Sequence, residues 1–381
     1  MLGEPVFMFL AAMPAAIWVG VLLLPWQPWR TREVLDAPAN PLPTDLGDVT
    51  VLIPARDESA TIAQTLRSVF TQGPNLKVIL VDDQSSDNTV ETARRVAAGK
   101  VHVVSGRPLP SGWSGKLWAL EQGRPFIQTP FTLLLDADIE LRPGILAEMR
   151  KTMAKDNLHF LSLMAVLRMV SLWERLLLPA FVYFFKLLYP FRLSNGGSVR
   201  ITAAAGGCVL LETRLIEEIG GFRTIRKELI DDCALAKRVR SAGSRTWIGL
   251  TPSVHSLRSY DSLSGIWNMV ARTAFAQLRH STPLLLLCTG LMMIAFCLPA
   301  VGLLFSGRGA TVLSVIGWGA MILSYLPTLS FYGLPGAWSA ALPLIGSFFL
   351  AMTWTSAFRA WIGKGAEWKE RSYRPDKVQL G

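Results

Sequence analysis

Asp48-Val49-Thr50-Val51-Leu52-Ile53-Pro54-Ala55-Arg56-Asp57-Glu58 is the stretch on which the reading of the fold turns. Val49–Ile53 is an unbroken apolar run of β-favouring residues, the pattern of a strand buried on both faces, and it ends abruptly in a Pro and three charged residues. Working outward, Ile62, Leu66, Val69 and Phe70 recur at helical spacing, and Val78–Val81 repeats the strand pattern. Val90, Ala93 and Val96 give a second helix face, and Val101–Val104 and Phe131–Leu135 two further strands. Strands alternating with helices predict an α/β fold with an open, mostly parallel sheet, whose ligands sit beyond the carboxyl ends of the strands.

Those ends are acidic. The second strand runs into Asp82-Asp83-Gln84-Ser85-Ser86-Asp87 and the fourth into Asp136-Ala137-Asp138. Helix capping accounts for Asp87 before Val90 and for Ser59 before Ile62, but not for Asp82, Asp83, Asp136 and Asp138 together. A mouth so negative repels anions unless a divalent cation fills it, and a diphosphate is the anion such a cation would bring. Asp136 and Asp138, two apart, project to one side of an extended segment, and their hard oxygens suit Mg²⁺ or Mn²⁺. Asp82 or Asp83 is placed to accept a ring N–H of a pyrimidine base, which favours uridine over cytidine. Lys116, behind the Gly112-Trp113-Ser114-Gly115 turn, has the reach for donor phosphates.

The whole chain is too apolar for a purely soluble protein. Of its 381 residues 51% are hydrophobic and 17% charged, so membrane segments are expected. Val6–Leu24 carries no charge and is followed by Trp26, Trp29, Arg30 and Arg32, a spanning anchor with an aromatic and basic flank. A cleaved leader would carry its positive charge before the apolar run, where Met1–Pro5 has none. Pro283–Phe305, Thr311–Tyr332 and Ala337–Phe358 are each long enough to cross. Three crossings after a cytosolic domain would leave the basic tail, Arg359–Lys377, outside, against the positive-inside preference; either one of the three is re-entrant or another segment crosses. Leu172–Phe191 and the helical series Leu263, Ile266, Trp267, Val270 and Leu278 read equally as interfacial helices or as core packing. The division expected is an anchor over 1–29, a catalytic domain over 30–258 with an interfacial insertion near 170–193, an interfacial helix over 259–282, apolar helices over 283–358 and a basic tail over 359–381.

The net charge of +10 fits a membrane flank, and no basic helix or aromatic RNA-binding motif accompanies it, so nucleic acid is not a partner. Cys208, Cys233, Cys288 and Cys297 show no CxxC spacing and read as structural thiols.

With these residues in view, the sequence resembles a family 2 glycosyltransferase of the GT-A fold. The resemblance rests on Ile53–Glu58, Val81–Asp87, Gly115-Lys116 before an apolar helix, Asp136-Ala137-Asp138, Gly206–Leu211 leading through Arg214 to Ile219–Phe222, and Leu229–Ala236. It covers about two-thirds of the chain. Trp173–Arg175 to Tyr189–Phe191, with the trailing apolar helices, further resembles the hopene-associated branch of hopanoid biosynthesis. The resemblance implies a Rossmann-like GT-A domain in the cytosol of a bacterium, held on the inner membrane by N- and C-terminal helices. It implies a nucleotide-sugar donor bound by Pro54, Ala55, Arg56, Glu58, Asp82, Asp83, Lys116, Asp136 and Arg272, and a metal at Asp136 and Asp138. It makes Asp232 the general base, with Asp231 where the family usually has Glu, which leaves open the division of labour between them. Both open a helix with apolar face Leu235, Val239 and Ala242, and a close carboxylate pair raises one partner's pKa, as a base requires. His255, beyond a strand at Arg245–Ile248, is either a third metal ligand or structural. The Gln-x-x-Arg-Trp motif of processive members is absent, since Thr273 follows Arg272; transfer of a single sugar is expected.

The reaction expected is inverting transfer of one sugar, from a UDP-sugar, to a lipid hydroxyl: a hopanoid, or in the alternative a polyprenyl phosphate. A nucleotidyltransferase would share the acids but has no use for apolar helices or for Asp231-Asp232. A non-catalytic nucleotide-sugar-binding scaffold would bind without turnover. A transporter would carry its acids in the spans.

Overall fold

The computed structural model describes residues 4–305, 307–363, 366–368 and 371–373. The strands of its main sheet are β1 (Val49–Ala55), β2 (Lys77–Asp82), β3 (Val101–Ser105), β4 (Phe131–Leu135), β5 (Ile139–Leu141), β6 (Phe160–Val166), β7 (Cys208–Glu212) and β8 (Thr246–Ser256). They form one sheet in the order β3-β2-β1-β4-β7-β6-β8-β5. The first four are parallel; β7 then runs antiparallel to both β4 and β6, so the half of the sheet beyond β4 is mixed. Every residue of β1 is buried, as its unbroken apolar run requires of a central strand.

Helices cover both faces. α2 (Ile62–Phe70), α3 (Thr89–Ala97) and α5 (Ile145–Asp156) pack on one, burying Leu66, Ala93 and Met149 against Val51 and Leu133. α4 (Gly115–Gly123), α8 (Arg214–Glu218) and α9 (Asp231–Ser241) cover the other, with Leu120, Ile216 and Leu235 around Leu52 and Val81. Two local expectations are corrected. The residue preceding α2 is Thr61 and not Ser59, and Asp87 caps no single helix; it accepts the backbone N–H groups of both Ser59 and Thr89, at 3.0 Å each. In α9 the buried face is Leu235, Ala236 and Val239, with Ala242 exposed past the helix end.

The rest of the chain is a helical layer: α1 (Glu4–Leu23), α6 (Leu172–Leu188), α7 (Phe191–Asn195), α10 (Leu263–Gln277), α11 (Thr282–Met292), α12 (Leu298–Phe305), α13 (Arg308–Phe331) and α14 (Leu342–Trp361). α11 and α12 form one rod through a π-turn at Met293–Cys297, where the Trp18 indole N–H donates to the Ala295 carbonyl (2.7 Å). Four helical stretches are long and apolar enough to cross a membrane: Val6–Leu23, Thr282–Leu304, Arg308–Phe331 and Gly336–Trp361. Their outward side chains, among them Leu286, Leu287, Leu304, Val312 and Leu323, are exposed, as lipid-facing residues would be.

α6 lies between the two layers. Val182 packs with Ile248 and Leu250 of the sheet, while Tyr183 stacks on Tyr325 (centroids 5.0 Å) and Phe184 on Phe296 and Phe349. The alternatives left open for this stretch therefore merge: it is core to both the domain and the apolar helices.

Directions within the bundle follow from contacts. A Cβ on Gly309 would meet the Met8 side chain, and one on Gly317 would lie 3.1–3.2 Å from the Ala15 backbone, so α1 and α13 run parallel. Two residues separate α12 from α13, which makes them antiparallel neighbours. Along α14, Ser347 meets Cys297, Trp354 donates to Thr289 (3.0 Å) and Ala357 packs with Leu285. α14 therefore runs antiparallel to α11, and so parallel to α13, the helix that precedes it. The connection doubles back: a Cβ on Gly336 would sit 3.1 Å from Leu326. The far end of α14 lands on α10, where Trp267 donates to Thr355 (3.1 Å), the Phe275 N–H to Ser356 (3.0 Å) and Arg359 to Asn268 (2.7 Å). A two-stranded hairpin follows, β9 (Ala366–Trp368) and β10 (Arg371–Tyr373), with β9 against α10. The other residues of the basic tail beyond Gly363 lie outside the described residues.

Close approach of α1 and α13 depends on Gly317, and a larger side chain there must push backbone. Gly317→Leu is expected to cost ~1–3 kcal/mol by overpacking, seen as a lowered Tm in detergent. Gly319→Leu, whose Cβ position meets nothing within 4 Å, should leave Tm unchanged.

Candidate active site

The parallel register brings the ends of β1 and β2 side by side, Ala55 opposite Asp82. The loops that follow are sewn together by the chain's own polar groups. Arg56 donates to the Asp83 carbonyl (2.6 Å), the Ser86 N–H to the Asp57 carboxylate (2.7 Å) and the Glu58 N–H to Thr89 (2.8 Å). Asp57 and Gln84 hold positive φ, 49° and 58°, in these two tight turns. Asp83 is wholly enclosed, so of the Asp82/Asp83 pair only Asp82, half-buried, presents a carboxylate toward the rim.

Beyond β4 the chain enters a cleft of about 340 Å³. Pro54, Glu58, Lys116, Asp136, Asp138, Asp231, Asp232 and Arg272 all line it. Lys116 Nζ stands 2.6 Å from Asp136 and 3.7 Å from Asp231, bridging a strand end to the start of α9. It is carried by α4, whose N-terminus Ser114 caps by accepting the Leu117 N–H. Burial disfavours its charge, but Asp136 and Asp231 outweigh that and hold its pKa above the ordinary lysine value. Asp136 is itself pushed up, by burial first and by Asp138 among its neighbours, against the pull of Lys116. Asp232 is pushed up to about 7, first by burial and then by Asp231, with the Cys233 N–H (2.7 Å) acting in the opposite sense. Of the two adjacent carboxylates, Asp232 is thus the one poised to exchange a proton near neutral pH.

Part of the lining is apolar. Phe181, Val182 and Phe185 of α6, with Met164 and Leu167, face the same cleft. Ala205-Gly206-Gly207 forms the floor, and a Cβ on Gly206 would lie 3.2 Å from the Asp232 carboxylate and 3.3 Å from Lys116 Nζ. Glycine there leaves room between the Asp232 carboxylate and Lys116.

Ala55 and Asp82, which end β1 and β2, and Arg56 and Asp83, in the sewn loops, lie outside the lining of this cleft. His255 is also outside it. It pairs with Glu140 in the sheet, while its neighbour Ser256 lines the cleft, and adjacent strand residues face opposite sides. The structure therefore does not bring His255 to Asp136 and Asp138, and among the described residues no group of three His, Cys, Asp or Glu side chains is arranged to hold a metal. What stands against Asp138 is Arg258, whose Nε is 2.8 Å from Asp138 and whose Nη2 is 3.1 Å from Glu58. Arg258 and Tyr260, which also lines the cleft, escaped the sequence reading because the last strand was expected to end at Ile248. β8 instead continues to Ser256, carrying Pro252 through an irregularity between Leu250 and His255.

Residues 50–220 match the family model described as Glycosyl transferase family 2. This segment is similar to the family 2 glycosyltransferases. The chain is 34% identical over 93 residues to the 4,4'-diaponeurosporenoate glycosyltransferase of Staphylococcus haemolyticus, and 35% identical over 91 residues to that of Staphylococcus aureus (strain USA300). Each alignment covers 24% of this chain and 24% of the relative, about a quarter of its length. Among solved structures, a mannosyltransferase from Pyrobaculum calidifontis in complex with GDP-Man and Mn2+ superposes with a TM-score of 0.54 at 18% identity, over 93% of this chain and 98% of that one. The likeness is one of fold, and the fold is GT-A.

Within the matched segment the glycine floor is held by Ser162 of β6, which is fully buried and bonds both the N–H (2.7 Å) and the carbonyl (3.0 Å) of Ala205. Ser162→Ala leaves both backbone groups unpaired and is expected to destabilise by ~1–3 kcal/mol, measured by thermal unfolding. Ser264→Ala, at an exposed hydroxyl, should be neutral within about 0.5 kcal/mol.

Proposed function

We propose that the chain transfers one sugar from a nucleotide-sugar, a UDP-sugar on this reading, to the hydroxyl of a membrane lipid with inversion at the anomeric carbon. The observation that carries the proposal is the single cleft lined both by Asp232, Asp231, Lys116 and Asp136 and by the apolar α6 face. A base and a phosphate-seeking cation suit a sugar donor; the apolar wall, continuous with the helical layer, suits an acceptor that never leaves the bilayer. Asp232 takes the proton from the acceptor hydroxyl as its oxygen attacks. Lys116, with Arg272 on the same cleft, meets the charge developing on the departing diphosphate. Asp136 and Asp138 offer hard oxygen donors that fit Mg²⁺ or Mn²⁺, which when bound would neutralise that same charge. His255 has no part in this reading. Asp82 at the rim is the group assigned to the base.

The relatives named for 4,4'-diaponeurosporenoate support a lipid acceptor and point away from a hopanoid in particular. Hopanoids stay within the proposed acceptor class, and a polyprenyl phosphate remains the alternative acceptor. The missing Trp after Arg272 supports transfer of a single sugar.

A carboxyl of raised pKa is protonated, and idle as a base, below that pKa. The rate of label transfer from UDP-sugars to lipid, as kcat/KM, should therefore rise about tenfold per pH unit below about 7 and level off above it. Asp232→Asn should lower kcat by ~10²–10⁴-fold while UDP still binds. A variant retaining more than about a third of wild-type turnover would sink this assignment.

The membrane topology follows the same cleft. α10 runs from Tyr260 at the cleft to Gln277, which accepts from Tyr189 (2.7 Å), so α10 lies on the catalytic side; α13 ends on that side, and α14, parallel to it, ends on α10. The reading is three crossings, by α1, α11–α12 and α13, with residues 332–361 re-entrant and the basic tail beside the catalytic domain in the cytosol. This satisfies the positive-inside preference that four crossings would violate. Green fluorescent protein fused after Gly381 should fluoresce and alkaline phosphatase there should be inactive. Gly307→Cys, in a background free of native cysteines, should react with an impermeant maleimide added outside. The opposite pattern at the tail would make α14 a full crossing.

A further inference from the structure

Resting on the reading of Asp138 as a metal ligand, we infer that Arg258 is the resident counter-cation of the metal site, and that it moves from Asp138 to the donor diphosphate when metal and donor arrive together. The two acids of Asp136-Ala137-Asp138 are not vacant. Lys116 pairs with the first at 2.6 Å, and Arg258 with the second at 2.8 Å while also gripping Glu58 at 3.1 Å. A divalent ion entering between these acids meets two fixed positive charges within ion-pair distance of its ligands, and the like charges oppose it.

The two cations differ in what they can do next. Lys116 is tethered between Asp136 and Asp231 and bonds the Gly206 carbonyl (3.4 Å), so it has reasons to stay. Arg258 has a half-buried side chain, 34% exposed, at the end of β8, and the backbone beneath it is pinned by the Leu257 N–H on the Asp138 carbonyl (2.7 Å). Its backbone thus stays while the side chain can swing. A guanidinium does not give up its proton, so it can yield Asp138 to a metal only by moving. A diphosphate is the partner that matches its fork of N–H donors when it does. Glu58, buried at the end of β1 and bonded by Thr61 (3.0 Å), marks the pivot from which the exchange starts.

The consequence is coupled binding: weak metal binding by the donor-free enzyme, and mutual tightening of metal and nucleotide. A merely structural Arg258, one that orients Asp138 for the metal, predicts the reverse for its removal.

The test is Mn²⁺ binding to the detergent-solubilised full chain, followed by electron paramagnetic resonance, for wild type, Arg258→Gln, Arg258→Lys and Asp138→Asn. Without nucleotide, Arg258→Gln should bind Mn²⁺ at least about tenfold more tightly than wild type. At saturating Mn²⁺ it should bind UDP at least about tenfold more weakly. Arg258→Lys, too short to span Asp138 and Glu58 together, should change in the same directions by smaller factors, and serves if the Gln variant does not fold. Unchanged or weakened Mn²⁺ binding in both variants overturns the inference, as does unchanged UDP affinity. Asp138→Asn separates the two levels: loss of Mn²⁺ binding there keeps the site reading whatever Arg258 does, and wild-type binding there removes both.

Discussion

Carboxylates of like charge cannot crowd one cleft unless something offsets them, and that constraint organises this molecule. Glu58, Asp136, Asp138, Asp231 and Asp232 reach the cleft from the ends of β1 and β4 and from the start of α9. The fold meets the constraint in two ways. Lys116 and Arg258 are inserted among the acids, each spanning two of them. Asp232, which has no cation of its own within ion-pair distance among the described residues, takes up the rest of the burden by holding its proton to about pH 7. The mutual repulsion of the acids thereby shows in two of them, Asp136 and Asp232, whose carboxyls are both held above their ordinary pKa.

A second joint ties this cleft to the helical layer. Glu174, in the first turn of α6, is wholly buried and accepts the backbone N–H groups of Val170, Ser171 and Tyr260 at 2.8–2.9 Å. Burial alone would favour its neutral form, yet these bonds hold its pKa below the ordinary carboxylate value. One carboxylate thus starts the helix that forms the apolar wall and fixes the segment that carries Arg258 toward α10. Displacement of the helical layer and rearrangement of the cleft are mechanically one event.

Much of this was legible in the sequence, and the reasons differ by element. β1 could be read because a fully buried parallel strand is an unbroken apolar run, and the acids because charge that follows directly on such runs stands out. β6 and β7, with their antiparallel pairing, left no such trace, because apolar periodicity carries no information about direction. Hydropathy suffers the same blindness for α14: length and composition predict a crossing, while direction comes only from contacts such as Trp354 with Thr289. Arg258 was missed for a local reason. Gly249 and Pro252 look like the end of a strand, and the bulge that absorbs Pro252 cannot be seen one residue at a time. His255 attracted a metal role by residue type alone, and the two-residue repeat of the strand turns it from the cleft that Ser256 faces.

The indole of Trp18 donates to the Ala295 carbonyl, 277 residues further along the chain, and that bond is enclosed among Phe296 and the helices around it. On a ribosome α1 is made long before the helix that completes it exists. Through synthesis of the whole sheet domain, α1 has its polar indole edge and its small-residue face unmatched. Helix α1 is thus made early and completed late, and a chain interrupted before α12 and α13 would leave its indole N–H and its small-residue face without the partners they have in the whole structure.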